Sequence, residues 1–450
     1  MGYKLSRYVS VYEKNGVMAL HNSLTQEVVY CEKIVYNMML LNCNKLIDFN
    51  HSILIEAIKK KILIDAEFDE DIALQRIREK IGDIPKFRTM YLILTDRCNL
   101  ACKYCFVRDE TLSDLKEQTM VEQTAFKAID LFSSCLMEFP NEWESSPSII
   151  VFFGGEPLVN KQVFISAVEY IKKVKDEGKL PQRLAIFLNT NGTILDDEIL
   201  ATIKYNDISV SISIDGCREY HDANRVYGDG RGTFDKVCEG IRTIMKQGTT
   251  VSPCCTISRQ NCKKIPEIME WFANEFDCKF TSTNILIHAH AEDTVDEQYI
   301  NDVANGLIGT YKIFRERGVL EDTMMRCVNP FVNKAIRTKH CDGAGAQLVV
   351  APDGKIGPCQ GFVELRKYYT GDVNDLSYVP DEDPTFREWQ KRSPVNINEC
   401  QKCPLIGMCG GGCIYDAYLR TGSIWHVNKF FCQFIQAITE WLVWDLYEKI

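Results

Sequence analysis

The sequence lacks long hydrophobic runs. Its N-terminus, MGYKLSRYVSVYEKNG, has no apolar segment of the signal-peptide kind. No stretch of about 18 uncharged apolar residues is present that could cross a membrane. These absences predict a cytoplasmic protein that has no membrane partner.

Basic residues are outnumbered as well. The chain has 52 Lys and Arg against 62 Asp and Glu, which gives a formal net charge of -10 at pH 7. Because phosphate binding draws on clustered Lys and Arg, nucleic acid is not expected as a partner. Low-complexity tracts are also missing, and 450 residues with 46% apolar content predict a globular protein of two or three domains.

Cysteine, by contrast, is abundant, with 20 residues in the chain. The cytosol keeps thiols reduced, so these cysteines are not expected to form a disulfide framework. Metal ligation is the better interpretation of so many thiols.

Residues 1–85 form the first predicted unit. Short β-rich runs at Tyr8–Tyr12, Val17–His21 and Glu27–Cys31 are separated by Asn15-Gly16 and Asn22-Ser23, which predicts a three-stranded meander. Helical patterns follow at about 31–42, 51–61 and 66–80. Three strands followed by helices predict a winged-helix-like module; a structural cap is the alternative.

The second predicted unit, residues 86–290, alternates apolar strands with helical segments. Parallel strands need crossover connections, so this alternation predicts an α/β fold with a parallel sheet, a partial (β/α)6 barrel. Reactive groups are then expected at the carboxyl ends of the strands. The six predicted strands are 91–96, 149–155, 184–190, 208–214, 251–258 and 281–288.

The remainder of the chain divides at about residue 340. Residues 291–340 have helical patterns and are expected to bridge to the last unit, residues 341–450. That unit is dense in Cys and Gly, with little periodicity before an amphipathic helix at Phe431–Tyr447. We expect it to be held by metal rather than by a hydrophobic core.

The loop directly after the first barrel strand has the spacing C-x3-C-x2-C, at Cys98, Cys102 and Cys105. Three thiolates can bind three irons of a [4Fe-4S] cluster and leave the fourth iron open. A structural zinc site, the alternative, wants four protein ligands, and this loop supplies three with no nearby His.

This loop resembles the signature of the radical S-adenosylmethionine (SAM) superfamily, including the aromatic Tyr104 before the last cysteine. A GGEP segment at the end of the second strand resembles the family's site for the amino group of the cofactor. The resemblance extends to the ends of the next strands, where the family contacts ribose and carboxylate, and Arg225 is predicted to pair with the carboxylate. It implies that these residues bind the cofactor: Tyr104, Gly154, Gly155, Glu156, Pro157, Thr190, Asn191, Ser213 and Arg225.

The C-terminal cysteines resemble the SPASM extension, which carries two auxiliary [4Fe-4S] clusters. By this resemblance, cluster I takes Cys341, Cys359 and Cys413, whereas cluster II takes Cys400, Cys403, Cys409 and Cys432. Cluster I is then one ligand short. Either Cys327 completes it, or an open iron binds a substrate thiolate. A zinc site among Cys400, Cys403, Cys409 and Cys413 is the alternative, and it leaves Cys341, Cys359 and Cys432 unexplained.

The resemblance implies an enzyme that binds three [4Fe-4S] clusters and SAM and generates a 5'-deoxyadenosyl radical. It favours a maturase that oxidatively crosslinks a ribosomally made precursor peptide, through a thioether from Cys to carbon. The N-terminal module would bind the leader of that peptide as an added strand, and flavodoxin or ferredoxin would supply electrons. No residue is singled out as a catalytic acid or base.

Three other functions stay open. An anaerobic sulfatase-maturing enzyme is disfavoured because such enzymes place an Asp after the second auxiliary cysteine, where this chain has Gln360, which cannot accept a proton at neutral pH. A carbon-carbon crosslinking or epimerising maturase is another candidate. A non-catalytic electron carrier or peptide-binding scaffold would not need the GGEP segment or a three-thiolate loop.

Overall fold

A computed structural model describes residues 2–41, 52–105, 117–139, 147–286 and 296–450. Within them, a ten-stranded sheet passes through the middle of the chain, and two small sheets lie in the N-terminal unit. None of the described helices combines the length and apolarity needed to cross a bilayer.

The N-terminal unit contains the predicted meander, in which β2, β3 and β4 pair in antiparallel order. Asn15 and Gly16 both have positive φ, which suits the tight turn between β2 and β3. The described elements of this unit are β1 (Tyr3–Leu5), β2 (Val9–Lys14), β3 (Val17–Asn22), β4 (Glu27–Glu32), α1 (Lys33–Leu41), α2 (Ser52–Lys59), β5 (Leu63–Asp65) and α3 (Asp71–Ile81).

One feature of this unit differs from the prediction. β1 and β5 form a second, two-stranded antiparallel sheet, with Leu5 opposite Leu63. The third helix therefore begins at Asp71 rather than at about residue 66, because the preceding residues are extended or turning. The predicted helix boundary at residues 42 and 51 lies outside the described residues.

The predicted parallel sheet is confirmed. Strands β6 to β11 lie side by side in chain order, and each pairs in parallel with the next. The elements are β6 (Thr89–Ile93), α4 (Glu122–Glu138), β7 (Ile149–Phe153), α5 (Lys161–Asp176), β8 (Ala185–Thr190), α6 (Asp197–Tyr205), β9 (Ser209–Ser213), α7 (Arg218–Asn224), α8 (Phe234–Lys246), β10 (Val251–Ile257), α9 (Ile265–Glu275) and β11 (Phe280–Ile285). The last two residues of the sixth predicted strand, 287 and 288, lie outside the described residues.

The C-terminal part extends this sheet at both edges. β12 pairs with β11, and β13 pairs in parallel with β6, so the first barrel strand has a neighbour that follows it by about 250 residues. The elements are α10 (Glu297–Arg317), β12 (Leu320–Glu321), α11 (Asp322–Val332), β13 (Gln347–Val350), β14 (Lys355–Gly357), β15 (Gly371–Asp372), α12 (Pro384–Gln390), α13 (Ile414–Thr421) and α14 (Lys429–Tyr447).

The expectation that residues 341–450 lack a hydrophobic core is wrong. Phe362 and Trp389 are fully buried, and their rings meet edge to face at 5.6 Å. Tyr415 packs against Phe362 in the same way at 5.1 Å. Because aromatic rings bury a large apolar area, this cluster forms a hydrophobic core of its own. This core could not be predicted from the sequence, because its aromatic residues come from separate short segments that have no periodic pattern.

Candidate active site and iron–sulfur sites

The Cys98–Cys105 loop follows β6 and is held by backbone hydrogen bonds to the last residue of α7 and to the segment that follows it. The amide of Ala101 donates to the carbonyl of Val226 at 2.7 Å, and that of Lys103 donates to Asn224 at 3.0 Å. Burial raises the pKa of Cys98 to about 12, with further contributions from Cys102 and Cys105. The three predicted thiols therefore interact electrostatically within one loop.

The GGEP turn at the end of β7 packs directly on the chain that leads into this loop. A Cβ on Gly154, whose φ is +147°, would lie 2.4 Å from the carbonyl oxygen of Thr95, and one on Gly155 would lie 2.4 Å from that of Arg97. Only glycine permits such an approach. The two glycines thus fix the turn beside the cysteine loop.

Glu156 is 1% exposed, and both carboxylate oxygens accept hydrogen bonds from the chain itself. Oε1 accepts from the Thr190 hydroxyl at 2.7 Å and from the amide of Leu158, at the start of a short helical turn that begins with Pro157, while Oε2 accepts from the amide of Asn191 at 2.7 Å. Burial raises the pKa of Glu156 to about 7, although the hydrogen bonds from these donors act to lower it. Its carboxylate joins the ends of β7 and β8.

Asn191 connects the end of β8 to the cysteine loop. Its Nδ2 donates to Asn99 Oδ1 at 2.9 Å and approaches Cys98 Sγ at 3.9 Å. Asn99 in turn donates to the Thr193 hydroxyl at 2.8 Å. Both Thr190 and Asn191 are buried. Asn191 contacts the cysteine loop, whereas the Thr190 hydroxyl donates to Glu156.

At the end of β9, Tyr104 and Arg225 both donate to the buried Asp215. Asp215 is not among the residues predicted from the sequence. The Tyr104 hydroxyl donates to Asp215 Oδ2, and Arg225 Nε donates to the same oxygen at 3.0 Å. Asp215 Oδ1 accepts from the amide of Thr256 at 3.0 Å. The Arg225 guanidinium also lies 5.3 Å from the Tyr104 ring. A carboxylate in the strand-end segment SISIDG was the signal that could have identified Asp215.

Arg225 is 8% exposed, so it is not a solvated surface residue. Burial raises the pKa of Cys102 to about 11, while the Arg225 guanidinium lowers it. Arg225 therefore stands between the Asp215 carboxylate and a predicted iron ligand. Ser213 is half-buried on β9, where it lies opposite Cys254 of β10.

The C-terminal cysteines influence one another electrostatically in two groups. Burial raises the pKa of Cys359, and the neighbouring thiols of Cys341 and Cys413 raise it further. Burial also raises the pKa of Cys400, and three other thiols raise it further: Cys409, Cys432 and Cys403. We name the first group the Cys359 set and the second the Cys400 set.

Cys327 is buried in α11, and its strongest charged neighbours are Arg337 and Arg326. It is not among the main electrostatic neighbours of Cys341, Cys359 or Cys413. A fourth ligand from Cys327 stays a prediction.

The donor chemistry fits iron–sulfur clusters. Thiolates are the ligands of such clusters, and a bound metal deprotonates a coordinating thiol whose pKa is otherwise raised by burial. Among the described residues, no three His, Cys, Asp or Glu side chains are placed to hold a single metal ion.

Comparisons with known proteins agree with this geometry. Residues 92–272 match the radical SAM superfamily. The chain is 30% identical to an Fe-coproporphyrin III synthase of Methanosarcina barkeri, over 74% of this chain and 84% of that protein. It is 24% identical to the radical SAM cyclopropyl synthase TigE of Paramaledivibacter caminithermalis, over 80% and 74% of the two chains. A cysteine-type anaerobic sulfatase-maturating enzyme of Clostridium perfringens is 25% identical, over 76% and 93%.

Two solved structures share the fold. The structure of anSMEcpe with bound AdoMet superimposes with a TM-score of 0.66 at 21% identity, over 80% of this chain and 98% of that one. Streptococcus suis SuiB bound to S-adenosylmethionine gives a TM-score of 0.59 at 13% identity, over 96% and 100%. The relatives carry out different reactions, so they identify the family and not the substrate. With its cysteine loop, GGEP turn and parallel half-barrel, this chain is an enzyme of the radical SAM superfamily.

Proposed function

We propose that this enzyme is a peptide maturase that introduces a thioether crosslink, from a Cys sulfur to a carbon, into a ribosomally synthesised precursor. The observation that carries the proposal is the arrangement of the cysteines. Three thiols lie in the loop at the end of β6, and seven more form the Cys359 and Cys400 sets.

The Cys98 loop would hold a [4Fe-4S] cluster with one open iron, and the two C-terminal sets would hold two more clusters. Bound at the open iron, SAM supplies a 5'-deoxyadenosyl radical that abstracts hydrogen from an unactivated carbon. The protein's own contribution is to orient the cofactor: the backbone of Gly154 and Gly155 would accept from its ammonium. Tyr104, Pro157, Thr190, Asn191, Ser213 and Arg225 remain the proposed surroundings of the bound cofactor.

The stoichiometry favours a chain with more than one cluster. A thioether replaces one S–H and one C–H bond by a C–S bond, so two hydrogens leave the peptide. The 5'-deoxyadenosyl radical would take one as a hydrogen atom. The other would leave the thiol as a proton, and an auxiliary cluster would accept the remaining electron. The Cys359 set, with three thiols, would leave an iron free to bind the substrate thiolate and lower its pKa.

The N-terminal unit would bind the leader segment of the precursor. Its meander offers an antiparallel sheet to which an extended peptide can add a strand. SuiB, which shares the fold over 96% of this chain, has been solved with its precursor peptide SuiA. A flavodoxin or ferredoxin is proposed as the electron donor.

The formylglycine alternative is supported by the relationship to sulfatase-maturating enzymes. It is opposed by Gln360, whose Oε1 accepts from Gln347 Nε2 at 2.9 Å. Gln347 also donates to the carbonyl of Pro358 at 3.0 Å. This amide pair occupies the place after Cys359 where a carboxylate base would be needed.

A precursor assay tests the proposal. The anaerobically reconstituted enzyme is incubated with SAM, a reductant and a leader-bearing peptide that contains cysteine. We expect a product that has lost two hydrogens and no longer reacts with iodoacetamide. A Cys-to-formylglycine mass change, or a modified peptide whose thiol still alkylates, would contradict thioether formation.

A further inference from the structure

The buried Arg392 lies just after α12, between the two C-terminal cysteine sets. It is 1% exposed. Nε donates to the carbonyl of Ile424 at 2.5 Å, and Nη2 donates to the carbonyls of Gly411 and His426, each at 2.9 Å. Nη1 is buried and has no hydrogen-bond partner among the described residues.

In the part of the chain that the structure describes, this guanidinium makes no ion pair with an Asp or Glu. The neighbouring Lys339 donates to the carbonyl of Gln390 and adds a second buried cation. Burying an unpaired charge is costly, so buried arginines normally meet an anion. Burial lowers the pKa of Arg392, and four thiols near it act in the opposite direction: Cys400, Cys413, Cys341 and Cys409.

The Cys409–Cys413 loop, which joins the two sets, packs against this guanidinium. Cys409 and Cys413 are separated by three glycines with φ of +66°, +85° and +72°, at Gly410, Gly411 and Gly412. A Cβ on Gly411 would lie 2.6 Å from Arg392 Nη1, and the Gly411 amide is 3.3 Å from Cys409 Sγ. The unpartnered nitrogen therefore lies against the backbone that carries a thiol of each set.

We propose that Arg392 is a positioning residue shared by both auxiliary clusters, with Nη1 donating to their sulfur atoms and raising their reduction potentials. The inference rests on the proposed function, because it requires clusters in the Cys359 and Cys400 sets. A positive charge beside a cluster stabilises the more negative, reduced state. The thiolates in turn supply the counter-charge that Arg392 otherwise lacks.

The test compares Arg392→Gln, Arg392→Lys and the full-length wild type, each reconstituted anaerobically with iron and sulfide. Auxiliary-cluster signals are followed by electron paramagnetic resonance in a redox titration. Arg392→Gln should lower the reduced-to-oxidised ratio at a fixed potential about tenfold, which is about 59 mV for a one-electron couple. Arg392→Lys keeps the charge but loses the planar donor, so we expect a smaller shift in the same direction.

Arg387→Gln is the matched control, because Arg387 lies on α12, close before Arg392 in the chain, but is exposed, and its Nε donates to the carbonyl of Asp381 at 2.7 Å. It should leave all potentials unchanged. If Arg392→Gln does not fold, Arg392→Lys decides alone, and potentials equal to wild type in that variant would overturn the proposal.

Iron analysis separates this failure from failure of the proposed function. A wild-type chain that binds iron only through the Cys98 loop has no auxiliary clusters, and the proposed function fails with the Arg392 role. If the auxiliary clusters are present but their reduction potentials do not change in the Arg392 variants, only the proposed role of Arg392 fails. The signal of the Cys98-loop cluster should not move in any of the variants.

Discussion

The barrel end and the C-terminal unit both place buried arginines beside cysteine thiols, but they neutralise them differently. In the barrel, Arg225 is paired with the buried Asp215 at 3.0 Å. In the C-terminal unit, Arg392 contacts three backbone carbonyls and no carboxylate among the described residues. An arginine that is already paired with a carboxylate suits a site where a cofactor binds and leaves. An arginine without a carboxylate, such as Arg392, suits a site where a permanently bound cluster and its thiolates would supply the negative charge.

The largest effects come from removing cysteines of one region at a time. Replacing Cys98, Cys102 and Cys105 by Ala should abolish 5'-deoxyadenosine formation and remove about four irons per chain. Replacing Cys400, Cys403 and Cys409 should also remove iron but leave cofactor cleavage measurable. An iron assay measures the iron content, and mass spectrometry measures 5'-deoxyadenosine. Equal loss of cleavage in the two variants would break the distinction between the regions.

The aromatic core of the C-terminal unit gives the next effect. Phe362 is fully buried against Trp389, so Phe362→Ala should lower the free energy of unfolding by about 4 kcal/mol. Phe68→Ala is the control, because Phe68 is 42% exposed, and it should cost well under half as much. Denaturation of the chelator-treated protein measures both. Similar values for the two variants would restore the expectation that metal alone holds this unit.

Asp215→Asn tests the charge pair of the barrel. The substitution keeps the shape but leaves Arg225 buried without its anion, which should cost about 3 kcal/mol of unfolding free energy. Asp229→Asn, which removes an exposed pair with Arg231, should have no measurable effect. Thermal denaturation of the three proteins makes the comparison. Our account of Asp215 is wrong if both variants unfold at the wild-type temperature.

Glu156 provides the smallest effect, a pH dependence. Its pKa in the folded chain is about 7, above the value of 4.5 expected when it is unfolded. The folded state then binds more protons, so stability falls as pH rises towards 7 and levels off above it. Relative to Glu156→Gln, the wild type should lose about 1 kcal/mol between pH 6 and pH 7. A difference in stability that stays constant from pH 6 to pH 8 would contradict the raised pKa.

The two regions also differ in how far the sequence could predict them. The six barrel strands were predictable because each is a short apolar run that ends at a turn or a polar residue. The two cysteine sets followed from spacing and resemblance. Asp215 could have been selected from the strand-end segment SISIDG. Its pairing with Arg225 could not be predicted, because the two groups come from different segments and meet only when β9 and α7 are folded. Likewise, Phe362, Trp389 and Tyr415 have no periodic pattern, and the pairing of β13 with β6 joins distant parts of the chain.

The most direct test of the central claim is whether the Cys98 loop holds a cluster with an iron that SAM can reach. The full-length enzyme is reconstituted without oxygen, reduced with dithionite and mixed with SAM. We expect SAM to change the electron paramagnetic resonance spectrum of the reduced cluster and 5'-deoxyadenosine to form, with neither event in Cys105→Ala. Zinc in the loop, or a cluster whose spectrum ignores SAM and yields no 5'-deoxyadenosine, would contradict the account.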